Sequence, residues 1–373
     1  MPIPAPSPSP SPTPPAYSVL QSRFFTSSFG VAVVGMSGTR HLYLTYSGGR
    51  RWREITPKGL IFAPPQLNRE LDYTNAITLP TFVDQLHGWL PVSQNPDDGG
   101  WLFVTRDGGY TWTRTLSYYV SHHAGSSDSF DFVDSMHTFL VEIEAAAPDS
   151  YFLTSTDGGI AFSGTRAPGI GNGGKLPSIK PAIFWSASDG WSYNYERTGY
   201  FVSHDAGRSW QLHSFDGVIP PASDNGRLVG SPTFFSRRTG IESVYNMEGT
   251  QEVLHILRTD DAGDHWRPIA SSPIEGDLHS VPGPNVSVTP VTATTWLERG
   301  PHGYRLSGDS GTTWRPLTLN ALPRLTGQYD PASPDIGLVT AVDGVLVGAQ
   351  GGVGHLYITH DAGRSWLEQR PGR

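Results

Sequence analysis

Two kinds of side chain in this 373-residue sequence could do chemistry on a ligand: carboxylates with histidines nearby, and aromatic rings able to stack on a sugar. They gather in stretches rich in Gly, Pro and Ser, as Tyr73 beside Glu70 and Asp72; His122, His123 and Asp128; Asp224 and Arg227; His279 after Glu275 and Asp277; and Tyr329 and Asp330 after Arg324. Two carboxylates about 5–9.5 Å apart would suit glycoside hydrolysis. The same residues spread around a concave mouth would suit binding of a protein or glycan. The plainer reading makes each of them a solvated loop residue or turn former. His122 and His123 make no metal site together, because adjacent residues of an extended chain point to opposite sides. With no cysteine there is no thiolate ligand or nucleophile. The Gly-rich run 169–174 has no strand–loop–helix around it and reads as a connector. No metal and no cofactor is expected.

What must position these residues is a repeat. An eight-residue phrase recurs seven times: Ser or Thr, any residue, Asp, a small residue, Gly, two variable residues, then an aromatic. It begins at Thr45, Thr105, Ser155, Ser203, Thr259, Ser307 and Thr359, and closes at Trp52, Trp112, Phe162, Trp210, Trp266, Trp314 and Trp366. Its third position is Asp107, Asp157, Asp205, Asp261, Asp309 and Asp361, with Ser47 in the first copy. Successive third positions are 60, 50, 48, 56, 48 and 52 residues apart, a period that signals a repeat architecture.

The phrase fits a tight hairpin turn. Its Asp can accept bonds from the backbone N–H groups that follow, its Gly can take a positive φ, and its aromatic can fold under the turn and bury a large surface. The Asp and aromatic positions are therefore read as structural, since seven symmetry-related sites cannot converge on one substrate. Short alternating runs precede and follow each phrase, and two further strand candidates lie upstream, as at 77–83 and 88–92 in the second repeat, the latter entered through Gly88-Trp89. No stretch keeps a helical period. The expectation is an all-β, seven-bladed β-propeller of four-stranded antiparallel blades over 17–373, about 51 residues per blade, with one phrase per blade joining its third strand to its fourth.

Composition narrows the partners. A formal net charge of −8 argues against nucleic acid, which needs a basic face. No apolar run approaches the ~20 residues that span a bilayer. Residues 1–16 are a Pro/Ser-rich spacer, extended and polyproline-like. This start lacks the basic and apolar parts of a secretory signal, and the spacer suits an exported protein whose leader has been removed. An extracytoplasmic or secreted location is the expectation, with the oligomeric state left open.

At the level of the phrase, the chain resembles the Asp-box (bacterial neuraminidase repeat) propeller families. Phe82-Val83-Asp84 followed by Gly88-Trp89, and then the phrase from Thr105 to Trp112, look most like photosystem II assembly/stability factor-type repeats, with sortilin-type repeats also similar. That resemblance implies a non-catalytic, extracytoplasmic assembly or binding module. The sialidases of the group carry an Arg-Ile-Pro motif that is absent here; Arg267-Pro268-Ile269 and Arg315-Pro316-Leu317 follow phrases and belong to strands. Xyloglucan-type enzymes resemble two such propellers facing each other, and this chain has one. A glycoside hydrolase with a carboxylate pair at the channel mouth is the alternative reading.

In such a propeller the phrases occupy one face. The connections between blades, about 56–75, 117–130, 164–181, 214–230, 270–284 and 318–334, open on the other. Long loops on a rigid scaffold are the usual seat of binding. Tyr73, His122, Asp128, Asp224, Arg227, His279, Tyr329 and Asp330 fall in these connections and are the candidate ligand-binding residues.

Overall fold

In the computed structural model, the residues described are 17–36, 39–60, 79–95, 99–118, 127–143, 150–166, 182–193, 199–222, 228–273, 287–300, 303–317, 319, 322, 335–350 and 353–372. Among them every regular element is a strand. Seven antiparallel sheets form seven blades, and in each the strand order in space follows the order in sequence. Blade 1 is typical, with strands Ser18–Phe24, Gly30–Met36, Thr39–Thr45 and Arg53–Glu54. Its second strand is buried along most of its length with no polar alternation, because a blade packs against a neighbour on both faces. The outermost strands are largely exposed, as in Gln211–Ser214.

Seven apolar clusters fill the spaces between the blades, one to each interface. Val31 and Leu44 of blade 1 meet Phe82 and Leu90 of blade 2, and the pattern continues to Leu306 of blade 6 against Ala362 of blade 7. The ring closes where Val34 and Tyr43 of blade 1 pack on Val347 and Leu356 of blade 7. The Gly354 N–H donates to Ser18 Oγ there at 2.8 Å, and the Tyr17 hydroxyl donates to the Pro371 carbonyl at 3.0 Å. Among the described residues no strand is exchanged between the ends of the chain, and the strands of each blade are consecutive in sequence.

The hairpin between the first two strands carries a signal that the phrase had overshadowed. A Phe ending the first strand pairs with a Gly opening the second, at Phe24↔Gly30, Phe82↔Gly88, Phe184↔Gly190 and Phe234↔Gly240. The ring lies over the bare backbone, and a Cβ on Gly30 would sit 2.6 Å from the Phe24 ring. Two residues after that position stands Thr26, Asp84, Asp134, Ser186, Ser236, Thr292 or Thr340, whose side-chain oxygen accepts backbone N–H bonds of the turn. The two hairpins of every blade are then tied together. The fourth residue of the phrase donates its N–H to a carbonyl of the first hairpin, from Gly48 to Ser28 in blade 1 through to Ala362 to Val342 in blade 7. All seven phrases therefore share one face of the ring.

Inside the phrase the bonding is nearly invariant. The buried Ser or Thr at its head accepts the N–H of the Gly four residues on at 2.8–3.1 Å in all seven copies. The Asp accepts the N–H of the seventh residue at 2.8–3.0 Å in six copies, and Ser47 does so from Arg51 at 2.8 Å. The fourth position is left-handed as well as the fifth, with φ of 62° at Ala206 and 61° at Ala362.

The closing aromatics are less deeply placed than expected. Trp266 is buried, whereas Trp52, Trp112, Phe162, Trp210, Trp314 and Trp366 are half-buried. The fully enclosed indoles are Trp89, Trp191 and Trp296, each near the start of a second strand, where both faces of the sheet are covered by neighbouring blades.

Candidate functional site

Strand direction assigns the two faces. Hairpins within a blade, first-to-second and third-to-fourth, lie on the phrase face. The second-to-third turns and the connections from one blade to the next leave from the opposite ends of the strands. Those connections span 55–80, 119–126, 167–182, 215–227, 274–286 and 317–334 between the assigned strands.

Of the candidate ligand-binding residues, Tyr73, His122, Asp224, Arg227, His279, Tyr329 and Asp330 lie outside the described residues. Asp128 is not in a connection but in the first strand of blade 3, Ser127–Phe132, opposite Glu142. It stands at the end of that strand away from the phrase. The connection after blade 4 begins as core: Phe215 and Ile219 are buried in the cluster between blades 4 and 5, and Asn246 donates to the Pro220 carbonyl at 2.9 Å.

On the phrase face the third-position carboxylates of the phrases are spent on their own turns. Asp361 accepts from the Ser365 hydroxyl at 2.6 Å, the Ser365 N–H at 2.8 Å and the Thr359 hydroxyl at 2.8 Å. These bonds, the Ser365 hydroxyl foremost, pull its carboxyl down to about 2. Among the described residues, no group of three His, Asp or Glu side chains is placed to hold a metal ion.

A charge network bridges blades 4 and 5 on this face. The enclosed Asp189 carboxylate accepts from Ser186 Oγ at 2.5 Å, Arg237 Nε at 2.7 Å and His204 Nδ1 at 2.8 Å. The other ring nitrogen of His204 lies 3.0 Å from Asp264 Oδ1 of the next phrase. An imidazole between two carboxylates donates from both nitrogens only when protonated. Burial works against that charge, but the bonds to Asp264 and Asp189 outweigh it and raise the His204 pKa. The neighbouring His213, 4.0 Å from Asp264, moves the other way because burial dominates. Since the folded pKa of His204 is raised, its contribution to stability is full below the unfolded value near ~6.5 and fades as pH rises through the folded value. The difference in denaturant midpoint between wild type and His204→Gln is expected to shrink as pH rises above ~6.5. A difference that stays constant across pH would show that His204 carries no charge in the bridge.

Two other carboxyls are pushed upward. Asp131, in the first strand of blade 3, accepts the Phe184 N–H of blade 4 at 2.9 Å. Part of the residue reaches the surface, yet its carboxyl is crowded by neighbouring atoms; desolvation, only partly offset by that bond, pushes it up to about 7. Glu242 lies in the second strand of blade 5, Gly240–Glu248, and is 1% exposed. Both its oxygens lack a side-chain partner, and burial raises its pKa well above the usual carboxylate range against weak attraction from the Ser243 and Gly230 N–H groups. It sits beside a break in the inner strand, which is split into Leu228–Val229 and Thr233–Phe234. Asp131 pairs across to Phe139 and Glu242 to Leu257, both near the phrase end of the sheet. These two carboxyls thus belong to blades 3 and 5, away from the end where the connections open.

Where blade 7 meets blade 1, two grooves adjoin on the phrase face. One, of about 600 Å³, is lined by Arg50, Arg51, Trp52, Glu368, Gln369 and Arg370 among others. The second, of about 320 Å³, is lined by Ser27, Ser28, Ser47, Arg50, Asp343 and His360, with His360 Nδ1 held 2.8 Å from Asp343.

No family model matches the sequence, and no curated protein matches it. Solved structures do match. An oligogalacturonate lyase from Vibrio parahaemolyticus is 9% identical over 96% of this chain and 93% of its own, with a TM-score of 0.58. A GH74 xyloglucanase from Xanthomonas campestris is 16% identical over 95% of this chain with a TM-score of 0.55, and the match spans 54% of the xyloglucanase. YCF48 from Cyanidioschyzon merolae is 15% identical over 95% of this chain and 98% of its own, with a TM-score of 0.49. Likeness at these identities is likeness of fold: the chain is a seven-bladed β-propeller.

Proposed function

We propose that this chain is a non-catalytic binding or assembly module that works outside the cytoplasm and engages a protein or glycan through the connections between its blades. The observation that carries the reading is the division of labour between the faces. On the phrase face, the Asp carboxylates of the phrases are consumed by turn bonds repeated blade after blade. The long connections, rich in carboxylates and aromatics, leave from the other end of the strands. Rigid blades packed through seven apolar clusters give those connections a fixed frame. Hydrogen exchange or cross-linking with a candidate partner is expected to protect the connections around Tyr73, His122, Asp224, Arg227, His279, Tyr329 and Asp330. Protection confined to the turns around Asp107, Asp205 and Asp361 would place the partner on the wrong face for this reading. A glycan array run alongside chromogenic glycosides separates binding from turnover. Hydrolysis lost on Asp128→Asn or Asp330→Asn would replace the binding module with a glycoside hydrolase.

A further inference from the structure

The one copy of the phrase that breaks the pattern sits at the one interface where the two ends of the chain meet. Six copies carry an Asp at the third position, and five of them pair its carboxylate with the side chain of the seventh residue: Thr111, Ser209, His265, Thr313 or Ser365. In blade 1 the third residue is Ser47 and the seventh is Arg51, preceded by Arg50. The Ser47 hydroxyl still accepts the Arg51 N–H at 2.8 Å, so the turn keeps its backbone bond. What changes is charge. The carboxylate is gone and Arg51 stands at the seventh position, beside Arg50 at the sixth, a position that is also arginine in blades 4 and 7 (Arg208 and Arg364); Arg50 and Arg51 are both exposed.

Both arginines line the larger groove with Arg370 from blade 7. The acidic group that lines it, Glu368, is already engaged by His355 Nδ1 at 2.9 Å and by Arg370 at 3.3 Å. Trp52 forms part of the wall, and its indole N–H is buried without an acceptor among the described residues. In a chain whose formal net charge is −8, this is a local concentration of positive charge in a concave site, the arrangement that focuses field on an anion. Guanidinium forks match the two oxygens of a carboxylate, phosphate or sulfate.

From this geometry we propose that the groove between blades 7 and 1 binds an oxyanion, a carboxylate, phosphate or sulfate group of a ligand, through Arg50, Arg51 and Arg370. The loss of the Asp at position 47 is what opens the site. An Asp there would turn Arg51 onto itself, as His265 is turned onto Asp261 at 2.7 Å in blade 5. The site lies on the phrase face and is independent of binding by the connections.

The test is calorimetric titration of the full chain with sodium sulfate, sodium phosphate and sodium citrate, with ionic strength held constant by sodium chloride so that screening does not mimic binding. Saturable binding of at least one of the three is expected, and the three arms separate sulfate and phosphate from carboxylate sources. Affinity is expected to fall at least tenfold in Ser47→Asp and in Arg51→Gln, and to be unchanged in Arg208→Gln, whose arginine lies in the phrase of blade 4. Ser47→Asp copies the other six turns, so its unfolding midpoint is expected to match or exceed wild type, which separates loss of binding from loss of fold. Absence of saturable binding to all three anions, or wild-type affinity in Ser47→Asp, would overturn the proposal.

Discussion

Trp89→Ala is expected to destabilise the protein by ~3–5 kcal/mol, the range for truncating a fully buried large aromatic. Trp89 is wholly enclosed in the second strand of blade 2. Its ring stacks on Phe132 of blade 3 with centroids 4.8 Å apart and packs against Val104 and Leu102 of its own blade. Its indole N–H reaches the Gly158 carbonyl in the phrase of blade 3 at 2.9 Å. Truncation would empty a site that neighbours cannot easily collapse into, and would leave that carbonyl without its partner. Trp210→Ala removes a half-buried ring in edge contact with Phe184, 5.9 Å between centroids, and is expected to cost clearly less. Denaturant melts of both variants check the ordering. A Trp89→Ala midpoint closer to wild type than that of Trp210→Ala would mean that the closing aromatics, and not the second-strand indoles, lock the blades.

That ordering marks where sequence reading reached and where it stopped. The phrase was legible because its bonds are local: a Ser or Thr accepting from a Gly four residues on, and an Asp accepting from the residue four on, leave a fixed spacing in the sequence. Seven such spacings gave the blade count and the face. The depth of each aromatic was not legible, because burial depends on the neighbouring blade. Trp210 closes a turn at the rim, whereas Trp89 stands in a middle strand covered on both sides. The Phe–Gly pairing six residues apart, as in Phe184 and Gly190, was readable in principle, since a Gly opening a strand marks a close approach of something bulky. Asp189, His204 and Asp264 escaped for a different reason. They come from three separate turns of two blades, so no motif joins them, although they meet within 3.0 Å. The candidate residues on the connections rest on position in the chain alone.

Glu242 is the clearest violation of the rule that a middle strand of a blade is apolar, and it makes the second large prediction. A carboxyl that is 1% exposed and, among the described residues, has no cation beside either oxygen is held in its neutral form by the cost of burying a charge. Its folded pKa is raised, so the folded state holds a proton that the unfolded chain releases above about 4.3. Stability from this group is therefore complete below that value and falls as pH rises toward the folded pKa, by about 1.4 kcal/mol per pH unit. Glu242→Gln keeps the shape and removes the titration. The variant is expected to be close to wild type near pH 4.5 and progressively more stable than wild type as pH rises toward the folded pKa of Glu242. The phrase carboxylates pull in the opposite sense: the lowered pKa of Asp361 costs stability only as pH falls below the ordinary carboxylate value of 3.8. His204, whose contribution fades above ~6.5, slopes in the same sense as Glu242. Denaturant midpoints of wild type and Glu242→Gln at pH 4.5, 6 and 7.5 decide the matter, because a gap that does not widen with pH would mean that Glu242 is charged and has found a cation within the folded ring.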